Sequence, residues 1–200
     1  GNRWQLSYRL TLVWCMIGFA THGLLDGCTT YGTKLLWPLS DQRYSLDIIP
    51  IVDPLFTVPL LAWVGLAALT KKRLYVIAGL VWSTLYLSLG YVQHGRAEAM
   101  GLKLAQERGH KVLRLEAKPS FANLAVWKVL YETDERFYVD AVKPGIFQPL
   151  VWQGDNIRKL DIKRDFPWLD PASQQALDIE RFSLSSAGYL AVDPKDNRRI

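Results

Sequence analysis

Charge is scarce through the first half of this 200-residue chain and ordinary in the second. From Leu10 to Val92 the residues Leu, Val, Ile, Ala, Trp and Tyr dominate, whereas from His94 onward Lys, Arg, Asp and Glu recur every few positions. The near-neutral mean hydropathy averages two unlike halves. A single globular core is thereby excluded in favour of a membrane part followed by a water-soluble part. Cysteine is nearly absent, Cys15 and Cys28 being the only two. With Cys15 inside a helix that ends near Asp26, the pair would stand about 20 Å apart, and a disulfide needs Cα atoms within roughly 7 Å. No intramolecular bridge is expected, and the cysteines say little about redox compartment. Also missing are a glycine-rich phosphate loop, a CxxC pair, a GxSxG elbow and a serine triad with a supporting histidine, which removes several common catalytic classes. There is no internal repeat and no low-complexity segment. The formal charge of +5 comes from basic residues such as Lys103, Arg114, Lys128, Lys143, Arg158 and Lys163, interleaved with acids. A nucleic-acid stripe would be more clustered, so no nucleic-acid partner is expected. An ordinary solvated surface is the plainest account, and a mildly basic surface near anionic headgroups also fits.

What is present is three apolar segments. Residues 10–25 (LTLVWCMIGFATHGLL) are slightly short for a bilayer helix, with Trp4 and Tyr8 able to lengthen it at the interface. Residues 48–69 have the expected length but contain Pro50, Asp53, Pro54 and Pro59, so their first half is expected to be kinked or unwound. Residues 74–93 carry no charge and form the cleanest span. Lys71-Lys72-Arg73 joins the second and third segments, and Arg3 and Arg9 precede the first. The positive-inside rule puts both sets in the cytoplasm. Three crossings then place the loop 27–47 and everything after Gln93 outside. The chain opens on Gly1 without a signal peptide, and an upstream part of the natural protein is expected.

The organisation predicted is a membrane region over residues 1–93 with an outer loop at 27–47, a connecting helix over 94–110, and a soluble extracytoplasmic domain over 111–200. The fold class is therefore membrane α-helical, with three transmembrane helices, followed by a small α+β or β-rich soluble domain. In the connecting helix Ala97, Met100, Leu104 and Ala105 share a face and Gly109 is the stop. Val112, Leu113 and Leu115 suggest a strand. Trp127, Val129 and Tyr131 alternate against Lys128, Leu130 and Glu132 in a second strand, and Thr133-Asp134-Glu135 turns into a third, RFYVDAV. Pro144-Gly145 breaks it. Residues 153–170 read as loop, Pro171-Ala172 opens a helix through about Phe182, and residues 188–192 read as a closing strand.

The residues that do not belong in lipid carry the functional signal. His22 and Asp26, four apart at the outer end of the first segment, face the same way. Imidazole and carboxylate together suit zinc or manganese; the plainer account is a hydrogen-bonded pair at a helix end. Asp53 lies near the outer end of the second segment, where charge requires a partner or water. His94 ends the third segment on the same side, and as a lone histidine is more often interfacial than a ligand. Four ligand-type side chains thus converge on one face. Between them the loop offers Thr29, Thr30, Tyr31, Asp41, Arg43 and Asp47. Arg43 is placed to orient a phosphate or carboxylate, and Trp37-Pro38 to anchor the loop at the interface.

Residues 21–61, THGLLDGCTTYGTKLLWPLSDQRYSLDIIPIVDPLFTVPLL, resemble the signature region of a bacterial inner-membrane family, the YdjM-like membrane-bound metal-dependent hydrolases. The shared pattern is T-H-x-x-x-D-x-x-T-x-Y-G-T, then W-P-x-S-D-x-R, then D, then I-x-D-P-x-x-T. Residues 119–139 also look like that family's soluble domain. The resemblance implies a hydrolase with its site at the membrane surface, His22 and Asp26 matching the ligand pair and Asp41, Arg43, Asp47 and Asp53 the other polar positions. A shorter likeness of the His-x-x-x-Asp helix to zinc-dependent phospholipases and nucleases points to phosphoesters. Family members usually begin with a further membrane segment bearing a His/Asp motif. That segment has no counterpart here, which implies either a longer natural chain or an incomplete ligand set.

The leading expectation is a hydrolase at the outer face of the inner membrane. A divalent ion, zinc or manganese, would be held by His22 and Asp26, with Asp53 and His94 as additions. Asp41 or Asp47 would act as base and Arg43 would orient the anion of a small-molecule or lipid substrate. The alternative is a non-catalytic membrane protein whose outer domain binds a partner or envelope component.

Overall fold

A helix that is apolar all round has no water-stable surface to offer, and the N-terminal half of this chain builds such helices. The structure, a computed structural model, describes residues 7–40, 42–145 and 148–192. Helix α1 (Tyr8–Gly27) starts where the Ser7 hydroxyl accepts from the Leu10 amide at 3.4 Å. Leu12, Trp14, Met16, Phe19 and Leu24 stand exposed around it. Helix α2 (Pro54–Thr70) begins on a proline, whose missing N–H costs nothing in a first turn. It turns back through Lys71, in the left-handed region at φ 56°, into α3 (Arg73–Glu107). The two pack against each other on aromatic contacts, Phe56 on Tyr86 at 5.5 Å and Trp63 on Tyr75 at 6.2 Å between ring centroids.

Helices α1 and α3 are long and apolar enough to cross a membrane, whereas α2, with 17 residues, is shorter. The three expected segments therefore appear as two helices of spanning length and one short apolar helix. The cause lies in residues 48–53, which are not helical. Asp53 caps α2 from outside, and the prolines at 50 and 54 keep the preceding chain extended. Helix α3 runs unbroken through both residues 74–93 and the connecting stretch after them. Its 35 residues rise about 52 Å, against a hydrocarbon core of about 30 Å, so its C-terminal turns project beyond any bilayer it crosses.

A sheet packs on that projecting part. Strands β1 (Arg114–Pro119), β2 (Trp127–Glu132), β3 (Arg136–Lys143) and β4 (Leu150–Trp152) run antiparallel in that order, and β5 (Asn156–Arg158) also pairs with β3. The alternation read in β2 holds: Trp127, Val129 and Tyr131 are fully buried against α3, and Lys128 is exposed. Ala97, Gly101 and Ala105 form the helix side of this contact. A methyl on Gly101 would run into the Val129 side chain, so only glycine permits the close approach. Three readings need correction. Strand β1 begins at Arg114, so Val112 and Leu113 precede it. Residues 153–170 are not loop throughout, since β5 and the short helix α4 (Ile162–Asp165) lie there. Residues 188–192 form no strand: β3 is already flanked by β4 and β5, and only the Ala191–Lys159 bridge remains. The last helix, α5 (Gln174–Ser185), is capped by Ser173.

Candidate functional site

The loop between α1 and α2 folds back on itself. Thr33 and Tyr44 exchange backbone hydrogen bonds at 2.9 Å, and the Gly27 and Cys28 carbonyls accept from Leu46 at 2.8 Å and Ile48 at 3.0 Å. The return strand is thus stitched to the end of α1, and Ile48 and Ile49 are buried against α3. Gly90 of α3 allows this, because any Cβ there would strike the Ile48 carbonyl oxygen.

Every expected site residue but Asp41 now has a place. His22 Nε2 lies 3.5 Å from Asp26 Oδ2, as the helical spacing requires, and both side chains are largely exposed. Asp53 is 4% exposed and its oxygens are engaged. Oδ1 accepts from the Leu55 and Phe56 amides at 3.0 and 3.2 Å, and Oδ2 accepts from the Tyr86 hydroxyl at 2.7 Å. This is an N-cap that also satisfies a buried phenol. His94 lies edge-on to Trp127 at 5.8 Å and 3.7 Å from Glu98. Arg43 stacks over Tyr31 at 5.3 Å. Asp41 lies outside the described residues.

Asp47 adopts a left-handed conformation at φ 50° and is partly buried. The Ser45 hydroxyl is 2.6 Å both from its Oδ1 and from the Thr29 carbonyl, with one proton to divide between them. Burial pushes the Asp47 carboxyl above the usual range, opposed by the Ser45 hydrogen bond and by the charge of Lys118. A carboxyl raised on folding gives stability that is fully present below its unfolded pKa of about 3.9 and is lost as pH rises through the folded value. At neutral pH the ionised group therefore costs stability. Asp47→Asn keeps an acceptor for Ser45 and suits positive φ. Discounting for partial solvent screening, it should raise the Tm by about 1–3 °C at pH 7, with the gain fading toward pH about 4. Thermal melts of the two proteins across that range measure it.

Among the described residues no three His, Cys, Asp or Glu side chains gather as a bound cation would need. The fit for a divalent ion is partial. His22 and Asp26 supply two donors, Asp53 has three hydrogen bonds on its two oxygens, and a closed shell takes about four ligands. The sequence reading missed a second polar centre, on the sheet. Arg108 Nη1 and Nη2 donate to Asp140 at 2.6 and 3.0 Å, and Nη1 also donates to the Tyr131 hydroxyl at 2.8 Å. Asp140 Oδ1 takes the Gly154 amide at 3.0 Å, and His110 Nδ1 lies 2.9 Å from the Tyr131 hydroxyl. The Asp140 carboxylate and the Tyr131 hydroxyl hold the Arg108 guanidinium firmly in its charged form. The available signal was Asp140 itself, on the inward parity of β3 with Tyr138 and Val142.

Long helices with exposed apolar side chains, α3 carrying a small antiparallel sheet at its end, point to a membrane protein. Residues 2–97 match the YdjM inner membrane protein family. No curated protein and no solved structure matches the chain.

Proposed function

We propose that this chain crosses the inner membrane three times, holds the loop 28–53 and the sheet on the outer side, and acts there by binding a partner or envelope component. What sets the binding role ahead of a catalytic one is the engagement of Asp53: the most deeply placed carboxylate near the loop serves the α2 cap and Tyr86. Three further features support the topology. Lys71, Lys72 and Arg73 cluster at the α2–α3 turn, as a cytoplasmic turn would. Helix α2 rises about 26 Å, and the buried residues Ile48 and Ile49 extend its apolar reach. The sheet lies at the opposite end of α3 from the basic turn. Reporter fusions test the arrangement. Alkaline phosphatase should be active when fused at the C-terminus and inactive when inserted after Lys72. A fluorescent cytoplasmic reporter at the C-terminus would overturn it.

One observation favours a second reading, a metal-dependent hydrolase: the exposed His22–Asp26 pair is a preformed half-site. In that reading the pair holds zinc or manganese, which supplies a polarised scissile group and an activated water. Arg43 orients the anion of a phosphoester, and Asp41 or Asp47 takes the proton. Metal content of the purified chain and of His22→Ala and Asp26→Ala separates the two. Stoichiometric metal in the parent, lost in both variants, supports the hydrolase and overturns the binding role. Equal metal in all three ends the hydrolase reading.

A further inference from the structure

The sheet domain has a defined membrane end. Along α3, His94 meets Trp127 at the start of β2, Gly101 meets Val129, and Arg108 meets Tyr131 at its far end. Strand β2 therefore runs away from the bilayer in step with the helix. The Gln93 side-chain amide donates to the Pro144 carbonyl at 3.4 Å, and Gln93 closes the uncharged stretch 74–93, whose length matches the hydrocarbon core at about 30 Å. Pro144 thus marks the hydrocarbon boundary, and Lys143 and Gly145 beside it lie at headgroup depth.

Large apolar side chains are exposed at this end. Phe121, in the turn that leads into β2, is 78% exposed, and Leu150 and Trp152 of β4 are each nearly half exposed. Leu150 pairs with Lys143 and Trp152 with Ala141 on β3, while Lys128 pairs with Ala141 from the other side. Lys128 also lies directly across from Lys118, an unfavourable like-charge pairing. Lys118 is relieved by Glu116 at 3.1 Å, whereas Lys128 and Lys143 are exposed with no acidic partner among the described residues. Aromatic and aliphatic tips beside unpaired lysines are what an anionic lipid interface selects.

We infer that this end of the sheet is seated in the headgroup layer of the bilayer that α3 crosses, with Phe121, Leu150 and Trp152 inserted and Lys128 and Lys143 on anionic phosphates. The occupant is an anionic phospholipid surface. Charge complementarity argues for it, as does continuity with the lipid-facing surface of α3. The inference rests on α3 crossing the bilayer and not on either reading of the loop.

The full chain, with Cys15→Ser and Cys28→Ser, carries one bimane label at Phe121→Cys, Leu150→Cys or Asp134→Cys. Asp134 lies in the β2–β3 turn, at the far end of the strands. Each protein is reconstituted in vesicles of phosphatidylcholine with or without phosphatidylglycerol, containing phospholipid with a doxyl quencher high on the acyl chain. Quenching at residues 121 and 150 should be several-fold stronger than at 134. It should fall in neutral vesicles, and fall to the same level when Lys128→Gln and Lys143→Gln are combined. Equal quenching at the three positions overturns the proposal. So does quenching at 121 and 150 that is indifferent to phosphatidylglycerol, which would point to a protein or second-copy contact instead.

Discussion

Arg108→Ala is expected to destabilise the chain by about 3–5 kcal/mol, the cost of stranding one member of a buried ion pair. The asymmetry between partners follows from exposure: the Arg108 side chain is 21% exposed and Asp140 only 2%. Without Arg108, the Asp140 carboxylate, 2% exposed, keeps a single donor, the Gly154 amide. Without Asp140, by contrast, Arg108 keeps the Tyr131 hydroxyl and its own partial exposure to water. Asp140→Ala should therefore cost less than Arg108→Ala, and the double variant less than the sum of the two. Denaturant titration in detergent, followed by fluorescence of the buried Trp127 region, measures all three. A loss below about 1 kcal/mol for Arg108→Ala would mean that the pair behaves as a surface contact. Helix α3 would then be held to the sheet by its apolar face alone.

The second large effect is at Asp53. Asp53→Ala removes the N-cap of α2, about 0.5–2 kcal/mol, and leaves the Tyr86 hydroxyl buried without an acceptor, about 1–3 kcal/mol. A combined loss of about 2–4 kcal/mol is expected. Asp53→Asn keeps an oxygen for the Leu55 and Phe56 amides, and its NH2 can donate to Tyr86. It should cost under about 1 kcal/mol. A ligand role predicts otherwise, because asparagine is a poor substitute for a metal-bound carboxylate and both variants would lose metal alike. Thermal melts beside metal analysis distinguish the cases. A severe stability loss in Asp53→Asn would show that the charge itself, and not the hydrogen-bond geometry, is required.

Local pattern carried much of the fold. The uncharged run 74–93, the prolines at 50 and 54 and the alternation of Trp127, Val129 and Tyr131 each announce an element through its own period or its own breakers, whereas Pro59 lies inside α2 without ending it. His22 and Asp26 were legible for the same reason, since a spacing of four fixes their proximity within one helix. The edge strands were not. Strand β5 has three residues, too few to show a period, and it exists because β3 offers it an unpaired edge. Residues 188–192 failed in the opposite way: the composition suits a strand, but no partner edge remains beyond the Lys159 bridge. A strand is decided by its neighbour as much as by its residues.

The same division applies to the polar residues. The sequence alone determined that charge inside an apolar half must be answered, that the chain is of membrane type in its first half, and where along it the ionisable groups fall. It also determined the helical pairing of His22 with Asp26. Only the tertiary structure decided that Asp53 is answered by Tyr86, 33 positions away, and Asp140 by Arg108, 32 positions away. It also decided that α3 continues past the apolar stretch to carry the sheet. The reason is physical: periodicity encodes neighbours within one element, whereas a partner for a buried charge depends on how separate elements pack. That packing was set by the small residues at 90, 97, 101 and 105, through the surfaces they bring into contact.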